Sequence, residues 1–194
     1  MAVKTIILDF DGTLADCKEL HQVAFRDAIK KLCPYAEYKD EDIEGRPTRE
    51  KIRILHTMGF EFNGDKLNEI KQAQTQDRLE EYVKYNEELY NEILRLSKRY
   101  KLCLASNATD VFVHRSLKIM KIDDLFLKIN TATDFPAKPD IITFLDCMRY
   151  TGSAPGTTVI FEDSPVGVQG ALSTGAEVVQ VKDVADTIIQ MRRF

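Results

Sequence analysis

The sequence of 194 residues has no tryptophan, only four cysteines and only three histidines. None of its apolar runs approaches the length of a membrane span, so we expect no association with a membrane. The first residues carry one lysine and a short apolar run that Asp9 interrupts, so we expect no signal peptide. The cysteines are widely spaced and form no Cys-x-x-Cys motif. They therefore predict a reduced, cytoplasmic protein in which cysteines pack as small apolar residues.

The sequence also lacks a large excess of positive or negative charge, since the formal net charge is −4 and the basic residues are scattered. This distribution gives no electrostatic reason to expect binding to nucleic acid or to an anionic membrane. The apolar fraction of 44% and the charged fraction of 30% are typical of a globular protein. From the length we expect one domain, or a core with a small insertion, and we expect a monomer.

The most informative stretch is the apolar run Thr5–Leu8, which two carboxylates and a glycine follow directly. Such a short β-branched and apolar run is typical of a strand that is buried on both faces. Because residues i and i+2 of a strand point the same way, Asp9 and Asp11 are expected to face one site. Their repulsion favours a bound cation such as Mg²⁺, although a plain polar turn would have the same composition.

Further apolar runs alternate with helical patterns in the rest of the chain, and they lie at Leu102–Ala105, Phe126–Asn130, Thr158–Phe161 and Glu177–Val181. This alternation predicts an α/β fold with a Rossmann-like, doubly wound parallel sheet. Residues 16–80 show helical spacing and no convincing strand. We therefore predict a core of residues 1–15 and 81–194 with an inserted, all-helical domain of residues 16–80.

Local signals divide the predicted insertion into shorter pieces. Tyr35–Gly45 is polar and acidic, which indicates a loop, and Thr48 is a candidate N-cap for the helix that follows. Gly59 is placed to end that helix. A further break is expected between Gln76 and Tyr85, although no glycine or proline marks it.

Polar side chains follow three of the predicted strands. Asp9 and Asp11 follow the first strand, Ser106 and Asn107 the second, and Glu162 and Asp163 the fourth, while Lys138 lies on a loop between them. The carboxyl ends of parallel strands meet at one edge of a sheet, so these groups are expected to converge. Carboxylates for a cation, a hydroxyl and an amide for phosphate oxygens, and a lysine for charge suit phosphoryl transfer.

This set resembles the four motifs of the haloacid dehalogenase superfamily, in the order Asp9-x-Asp11-Gly12-Thr13, Ser106-Asn107, Lys138-Pro139 and Glu162-Asp163-Ser164. It is most similar to the branch with a helical cap, which includes phosphoglycolate phosphatase and β-phosphoglucomutase. The resemblance implies that Asp9 is the nucleophile and that Asp11 is the general acid and base. Dehalogenases and phosphonatases of this superfamily lack a carboxylate at the position of Asp11, so both activities are disfavoured.

The resemblance also implies ligand contacts. Ser106, Asn107 and Lys138 would bind the phosphoryl group. Asp9, the carbonyl group of Asp11, and Asp163 would hold Mg²⁺, and Glu162 would bind it directly or support its ligands. In the cap, His21 and Arg49 match substrate-contacting positions of sugar-phosphate members. A cap lysine of the mutase branch has no secure counterpart, since Lys71 is the nearest candidate and Gln74 is the alternative occupant of its place.

The sequence therefore predicts a Mg²⁺-dependent phosphatase of small phosphomonoesters, such as sugar or sugar-acid phosphates, that acts through an aspartyl phosphate. A hexose-phosphate mutase with the same core chemistry is the main alternative. A non-catalytic phosphate-binding protein is a third hypothesis, which the complete set of core motif residues disfavours.

Overall fold

The computed structural model describes residues 2–43 and 46–194. The chain divides into two compact units. One consists of Met1–Asp16 and Val83–Phe194 and is called the core unit below. The other, Cys17–Tyr82, is called the helical unit. The end of the loop predicted at Tyr35–Gly45 lies outside the described residues.

The core unit is built on a parallel sheet that has five strands among the described residues, and the strands are β1 (Thr5–Leu8), β2 (Lys101–Ala105), β3 (Lys128–Asn130), β4 (Thr158–Glu162) and β5 (Glu177–Gln180). Their order is β3-β2-β1-β4-β5, and every neighbouring pair is parallel. The predicted α/β fold is confirmed. The chain moves outward from β1 to β3 and then returns to the other side of β1, so the switch in direction lies between β1 and β4. Such a switch point is where doubly wound sheets bind ligands.

The helices of the core unit are α6 (Glu87–Ser97), α7 (Asp110–Met120), α8 (Ile142–Thr151), α9 (Pro165–Ser173) and α10 (Val184–Met191), with 3₁₀ turns at Asp123–Leu125 and Pro155–Thr157. One face of the sheet packs on α8 and α9 through a cluster that includes Ile7, Ile160 and Phe144. The central strand β1 is buried along its whole length. Three of its four residues are apolar, as burial on both faces requires, and the hydroxyl group of Thr5 bonds to that of Thr151.

The helices of the helical unit are α1 (Lys18–Leu32), α2 (Asp40–Ile43), α3 (Thr48–Thr57), α4 (Gly64–Asp77) and α5 (Leu79–Tyr82). Buried residues of α1, α3 and α4, including Phe25, Leu55 and Leu67, form the core of this unit. Gly59 follows the end of α3 with φ +93°, a conformation that favours glycine. The break predicted between Gln76 and Tyr85 is also present, since α4 ends at Asp77 and α5 at Tyr82.

Two local predictions for the helical unit were wrong. The short helix α2 lies inside the segment that was predicted to be a loop, because the apolar Ile43 is buried and ties that turn to the core of the unit. Thr48 is the first residue of α3 and not its N-cap, because Pro47 takes the cap position with φ −57°. In the described part of the chain, no helix combines the length and the apolar character that a bilayer crossing requires.

Candidate active site

Three carboxylates meet at the carboxyl ends of β1 and β4. Asp9, Glu162 and Asp163 each offer one oxygen atom to a group in which these atoms lie within 4.8 Å of one another. The pairing of Leu8 with Phe161 brings the ends of the two strands together. The N–H group of Asp9 donates to the carbonyl oxygen of Phe161 over 3.0 Å, which extends the ladder to the first carboxylate. The site therefore lies at the switch point of the sheet.

Lys138 brings a positive charge into this group. Its Nζ atom lies 2.5 Å from Oδ1 of Asp9 and also donates to Oε1 of Glu162. Only 2% of the Lys138 side chain is exposed. Burial by itself would lower the pKa of Lys138, but the attraction of the two carboxylates outweighs it and raises this pKa above its usual range. The lysine is therefore held in its charged form.

The carboxylates outnumber the lysine, and their pKa values are raised first by burial and then by this excess of negative charge. Burial, and then the charge of Asp9, raises the pKa of Glu162 to about 7. The same two causes raise the pKa of Asp163 to about 6. Burial also raises the pKa of Asp9, against the opposing effect of Lys138. Buried groups with such raised pKa values are stabilised in their charged form when a further cation binds.

The residues present fit a hard divalent cation. Oδ1 of Asp163 is buried and has no hydrogen-bond partner among the described residues. A buried carboxylate oxygen without a partner is costly, and a metal ion would satisfy it. All the available ligand atoms are carboxylate oxygens, which Mg²⁺ prefers to nitrogen or sulfur.

Asp11 lies on the turn after β1. The N–H group of the next residue, Gly12, donates to the carbonyl oxygen of Ala15 over 2.7 Å and closes this turn. The Asp11 side chain is half-buried, and its charge contributes to the raised pKa values of both Asp9 and Asp163. Asp11 is thus close to the carboxylate group and retains access to solvent, as the predicted acid and base requires.

The two residues after β2 face different partners. The N–H group of Ser106 donates to the carbonyl oxygen of Asn130, and its hydroxyl group accepts from the N–H group of Ala108. Ser106 itself is buried. The Asn107 side chain is exposed and bonds to the backbone of Lys138. The core motif residues thus lie along one edge of the sheet, and their roles toward a ligand stay predictions.

The sequence analysis named Ser164 in the fourth motif but gave it no role. The hydroxyl group of Ser164 donates to Oε2 of Glu162 over 3.2 Å and accepts from the N–H group of Gly167, so it caps α9 and orients the glutamate at once. A signal was available, because Ser164 is followed by Pro165 at the first helical position, a typical helix start. Gly167 is required here as well, since a Cβ atom on it would overlap the Glu162 carboxylate.

The two predicted cap residues belong to the helical unit. Nδ1 of His21, on α1, lies 3.2 Å from Nζ of Lys71 on α4, and Lys71 is buried. Arg49 lies on α3 and is exposed. Of the two positions considered for the cap lysine, Lys71 is therefore the one beside His21. Contacts of these side chains with a substrate stay predictions.

Comparisons with known proteins support the resemblance seen in the motifs. In sequence, a phosphorylated carbohydrates phosphatase of Thermotoga maritima is 29% identical over 182 residues, which cover 90% of this chain and 83% of the relative. The pyrophosphatase PpaX of Bacillus cereus is 24% identical and covers 93% and 84% of the two chains.

Solved structures share the fold. CbbY from Rhodobacter sphaeroides matches with a TM-score of 0.78, 18% identity and coverage of 92% of this chain and 86% of its own. The β-phosphoglucomutase of Clostridium difficile matches with a TM-score of 0.76, 19% identity and coverage of 95% and 86%. The model of the haloacid dehalogenase-like hydrolase family matches residues 6–181. The chain therefore belongs to the haloacid dehalogenase-like hydrolase family.

Proposed function

We propose that this protein is a Mg²⁺-dependent phosphatase that hydrolyses small phosphomonoesters through an aspartyl phosphate on Asp9. The observation that carries this proposal is the position of Lys138, which bonds to both Asp9 and Glu162 inside a buried group of carboxylates. A charged lysine next to a carboxylate neutralises the approach of an anionic phosphoryl group to that carboxylate. A merely structural ion pair would not explain the adjacent buried oxygen of Asp163, for which the described part of the chain offers no hydrogen-bond partner.

In the first half of the reaction, a carboxylate oxygen of Asp9 attacks phosphorus and forms an acyl phosphate. The bond between phosphorus and the ester oxygen breaks, and its electron pair stays on the leaving oxygen. Asp11 donates a proton to this oxygen, so the alcohol leaves in its neutral form. Lys138 and Ser106 would bind the phosphoryl oxygens, together with the N–H groups that follow β2.

In the second half, Asp11 is a carboxylate and accepts a proton from water. The water oxygen attacks phosphorus, the bond between phosphorus and the Asp9 oxygen breaks, and inorganic phosphate leaves. This step restores the carboxylate of Asp9 and the protonated form of Asp11. The half-buried position of Asp11 suits a group that exchanges protons with both alcohol and water.

The same residues would hold the metal ion. Asp9 and Asp163 would bind Mg²⁺ through their carboxylates, with the carbonyl group of Asp11 as a further ligand and Glu162 beside them. When bound, Mg²⁺ neutralises charge on the phosphoryl group and helps to orient it for in-line attack. It would also offset the burial of the carboxylates, whose pKa values are raised in its absence.

For the substrate we propose sugar or sugar-acid phosphates. The relative from Thermotoga maritima is named as a phosphatase of phosphorylated carbohydrates, and its match to this protein covers most of both chains. We further propose that the helical unit is the cap, with boundaries near residues 16 and 80, and that His21 and Arg49 contact the non-phosphate part of the substrate. Polar groups of a cap can select among sugars that share one phosphate group.

A hexose-phosphate mutase is the second candidate, and one contact favours it. Lys71 lies 3.2 Å from His21, so the helical unit pairs a buried lysine with a histidine on a neighbouring helix. A mutase needs such cationic and proton-transferring groups to hold the bisphosphate intermediate while this intermediate reorients in the site. It would conserve phosphate and require a bisphosphate primer, whereas a phosphatase releases phosphate without a primer.

The test is phosphate release from a panel of small phosphomonoesters, with and without Mg²⁺, for the wild type and for Asp9→Asn. We expect turnover that requires Mg²⁺ and is lost in the variant, because an amide is a far poorer nucleophile. Full activity of Asp9→Asn would contradict the assignment of the nucleophile. If the wild type released phosphate only slowly but isomerised a hexose phosphate with a bisphosphate primer, the mutase would replace the phosphatase.

We also propose that the protein is a cytoplasmic monomer. All four cysteines lie in the described part of the chain and are buried there, as expected of cysteines that pack as small apolar residues in a reducing compartment. Light scattering after size-exclusion chromatography gives the mass of the particle directly. A mass of twice 22.2 kDa would contradict the monomer.

A further inference from the structure

The loop of residues 131–141 carries Lys138 to the site, and it has little regular structure to hold it. Within the loop, the N–H groups of Asp134 and Phe135 both donate to the carbonyl oxygen of Thr131. The hydroxyl group of Thr133 also accepts from the N–H group of Asp110 at the start of α7, but none of these bonds involves Lys138. A lysine that must reach two buried carboxylates needs its backbone held more firmly than such a loop provides.

Asn107 supplies a contact at Lys138 itself. Oδ1 of Asn107 accepts from the N–H group of Lys138 over 2.8 Å, and its Nδ2 atom lies 3.5 Å from the carbonyl oxygen of Lys138. The N–H group can only donate, so the amide oxygen must face it and the orientation of the side chain is set. Asn107 thus contacts both polar groups of the Lys138 backbone from the end of β2.

A second element packs on the same loop at the next residue. A Cβ atom on Gly170 of α9 would lie 2.8 Å from the carbonyl oxygen of Pro139, so only glycine allows this approach without a shift. At the start of the loop, the N–H group of Ala132 donates to the carbonyl oxygen of Ala108 over 3.0 Å. The Lys138–Pro139 segment is therefore fixed by Asn107 at its backbone and by close packing against α9.

The other end of Lys138 is fixed by charge. Its Nζ atom bonds to Asp9 and Glu162, and it lies 5.4 Å from the centre of the Phe144 ring. A lysine side chain has four rotatable bonds, and ordering it costs entropy that these contacts must offset. If the backbone moved, the charged end could no longer reach both carboxylates at once.

We propose that Asn107 is a positioning residue that acts through Lys138, and that it is not primarily a ligand of the phosphoryl group. Its amide fixes the backbone from which Lys138 reaches Asp9 and Glu162. The proposal rests on the phosphatase function proposed above. It differs from the role that the family resemblance implied for Asn107, which was a direct contact with phosphate.

A double-mutant cycle separates the two roles, since residues that act through each other have non-additive effects. The cycle combines Asn107→Ala with Lys138→Met, and Lys138→Gln replaces the latter if that protein does not fold. With p-nitrophenyl phosphate, we expect Asn107→Ala to lower kcat by about 10- to 100-fold in the wild-type background. In the Lys138→Met background we expect a change of less than about threefold, because the residue to be positioned is gone.

The matched control is Asn86→Ala, which removes another asparagine side chain that accepts one backbone N–H group, that of Leu89 in the same unit. This control is expected to shift the denaturation midpoint and leave kcat unchanged. An equal loss of kcat from Asn107→Ala in both lysine backgrounds would overturn the proposal and assign Asn107 its own contact with phosphate.

The midpoint of guanidinium denaturation for the same four proteins gives a second result that does not depend on catalysis. If Asn107 holds the backbone on which the ion pairs of Lys138 depend, Asn107→Ala will shift this midpoint more with Lys138 present than with Lys138→Met. Equal shifts would overturn the proposal. A wild type without phosphate release, but with unequal shifts, would contradict the proposed function and leave the role of Asn107 supported.

Discussion

Gly12 lies so close to Asp163 that a Cβ atom on Gly12 would overlap the Asp163 carboxylate. The contact joins the turn after β1 to the end of β4, across the switch point of the sheet. Gly12 also has φ +92°, a backbone angle that residues with a side chain rarely adopt. Both the turn and the close approach therefore require glycine at this position.

We predict that Gly12→Ala will abolish most of the activity and lower the free energy of unfolding by about 2–3 kcal/mol, from backbone strain and displacement of Asp163. Gly59→Ala is the matched control, because Gly59 has φ +93° and no described atom lies within 4 Å of the point that its Cβ atom would take. It should cost about 1 kcal/mol and leave activity intact. Denaturant unfolding and phosphate release measure the two effects, and equal losses of activity would contradict the role of the contact.

The burial of Asp163 predicts how stability depends on pH. Its folded-state pKa is raised to about 6 from an ordinary value of 3.8, so the folded protein binds this proton more tightly than the unfolded chain. In the absence of metal, this group therefore contributes destabilisation that grows as the pH rises from about 4 to about 6.

We predict that Asp163→Asn will stabilise the metal-free protein by about 1 kcal/mol at neutral pH and much less near pH 4, after allowance for its partial exposure. Added Mg²⁺ should reverse this order at neutral pH, because it stabilises the wild type and not the variant. Thermal unfolding at the two pH values, with and without Mg²⁺, checks both statements. A stabilisation by Mg²⁺ that is the same in Asp163→Asn would exclude Asp163 as a ligand.

The ion pairs of Lys138 predict a large loss of stability when the lysine is removed. Lys138→Met should lower the free energy of unfolding by about 3 kcal/mol, because it leaves the buried carboxylates without their partner. Lys66→Met is the control, since Lys66 forms a pair of 2.9 Å with Glu69 in which both side chains are largely exposed. Its removal should cost less than about 0.5 kcal/mol. Denaturant unfolding of both variants compares the two pairs, and similar losses would mean that the buried charges of the site are solvated.

Ser164 is predicted to matter for activity beyond its contribution as a helix cap. Ser164→Ala should lower stability by about 1 kcal/mol and also reduce kcat, because the hydroxyl group orients Glu162. Asp183→Ala removes a comparable cap, in which Asp183 accepts from the N–H group of Asp186 on α10. The two variants should lose similar stability, and only Ser164→Ala should lose activity. Unchanged kcat in Ser164→Ala would limit this residue to capping.

The order and type of the main elements could be predicted because they depend on local patterns. Every residue of the buried strand Thr5–Leu8 is apolar or β-branched, and the polar residues at the ends of β1, β2 and β4 must meet wherever those strands are parallel neighbours. The convergence of Asp9 with Glu162 and Asp163 follows from this rule, although Asp9 is far from the other two in the sequence.

What escaped prediction depends on contacts between residues that are distant in the sequence. The bonds from Asn107 to the Lys138 backbone, 31 residues away, leave no periodic signal. The contact of Lys71 with His21, 50 residues apart, depends on how α4 lies on α1. Helix α2 forms in a polar segment because Ile43 finds a buried position, which composition alone does not indicate.

In the proposed mechanism the phosphoryl group passes through Asp9, so the phosphorylated protein is the species to trap. We predict that Asp11→Asn, incubated with Mg²⁺ and p-nitrophenyl phosphate, will accumulate a phosphoenzyme. The p-nitrophenolate leaving group of this substrate needs no proton from an acid. Hydrolysis of the acyl phosphate, in contrast, still needs Asp11 as the base. Intact-mass spectrometry should show one added phosphoryl group, which peptide mapping places on Asp9 and which the double variant with Asp9→Asn lacks. A phosphoryl group on another residue, or its persistence in that double variant, would contradict the account.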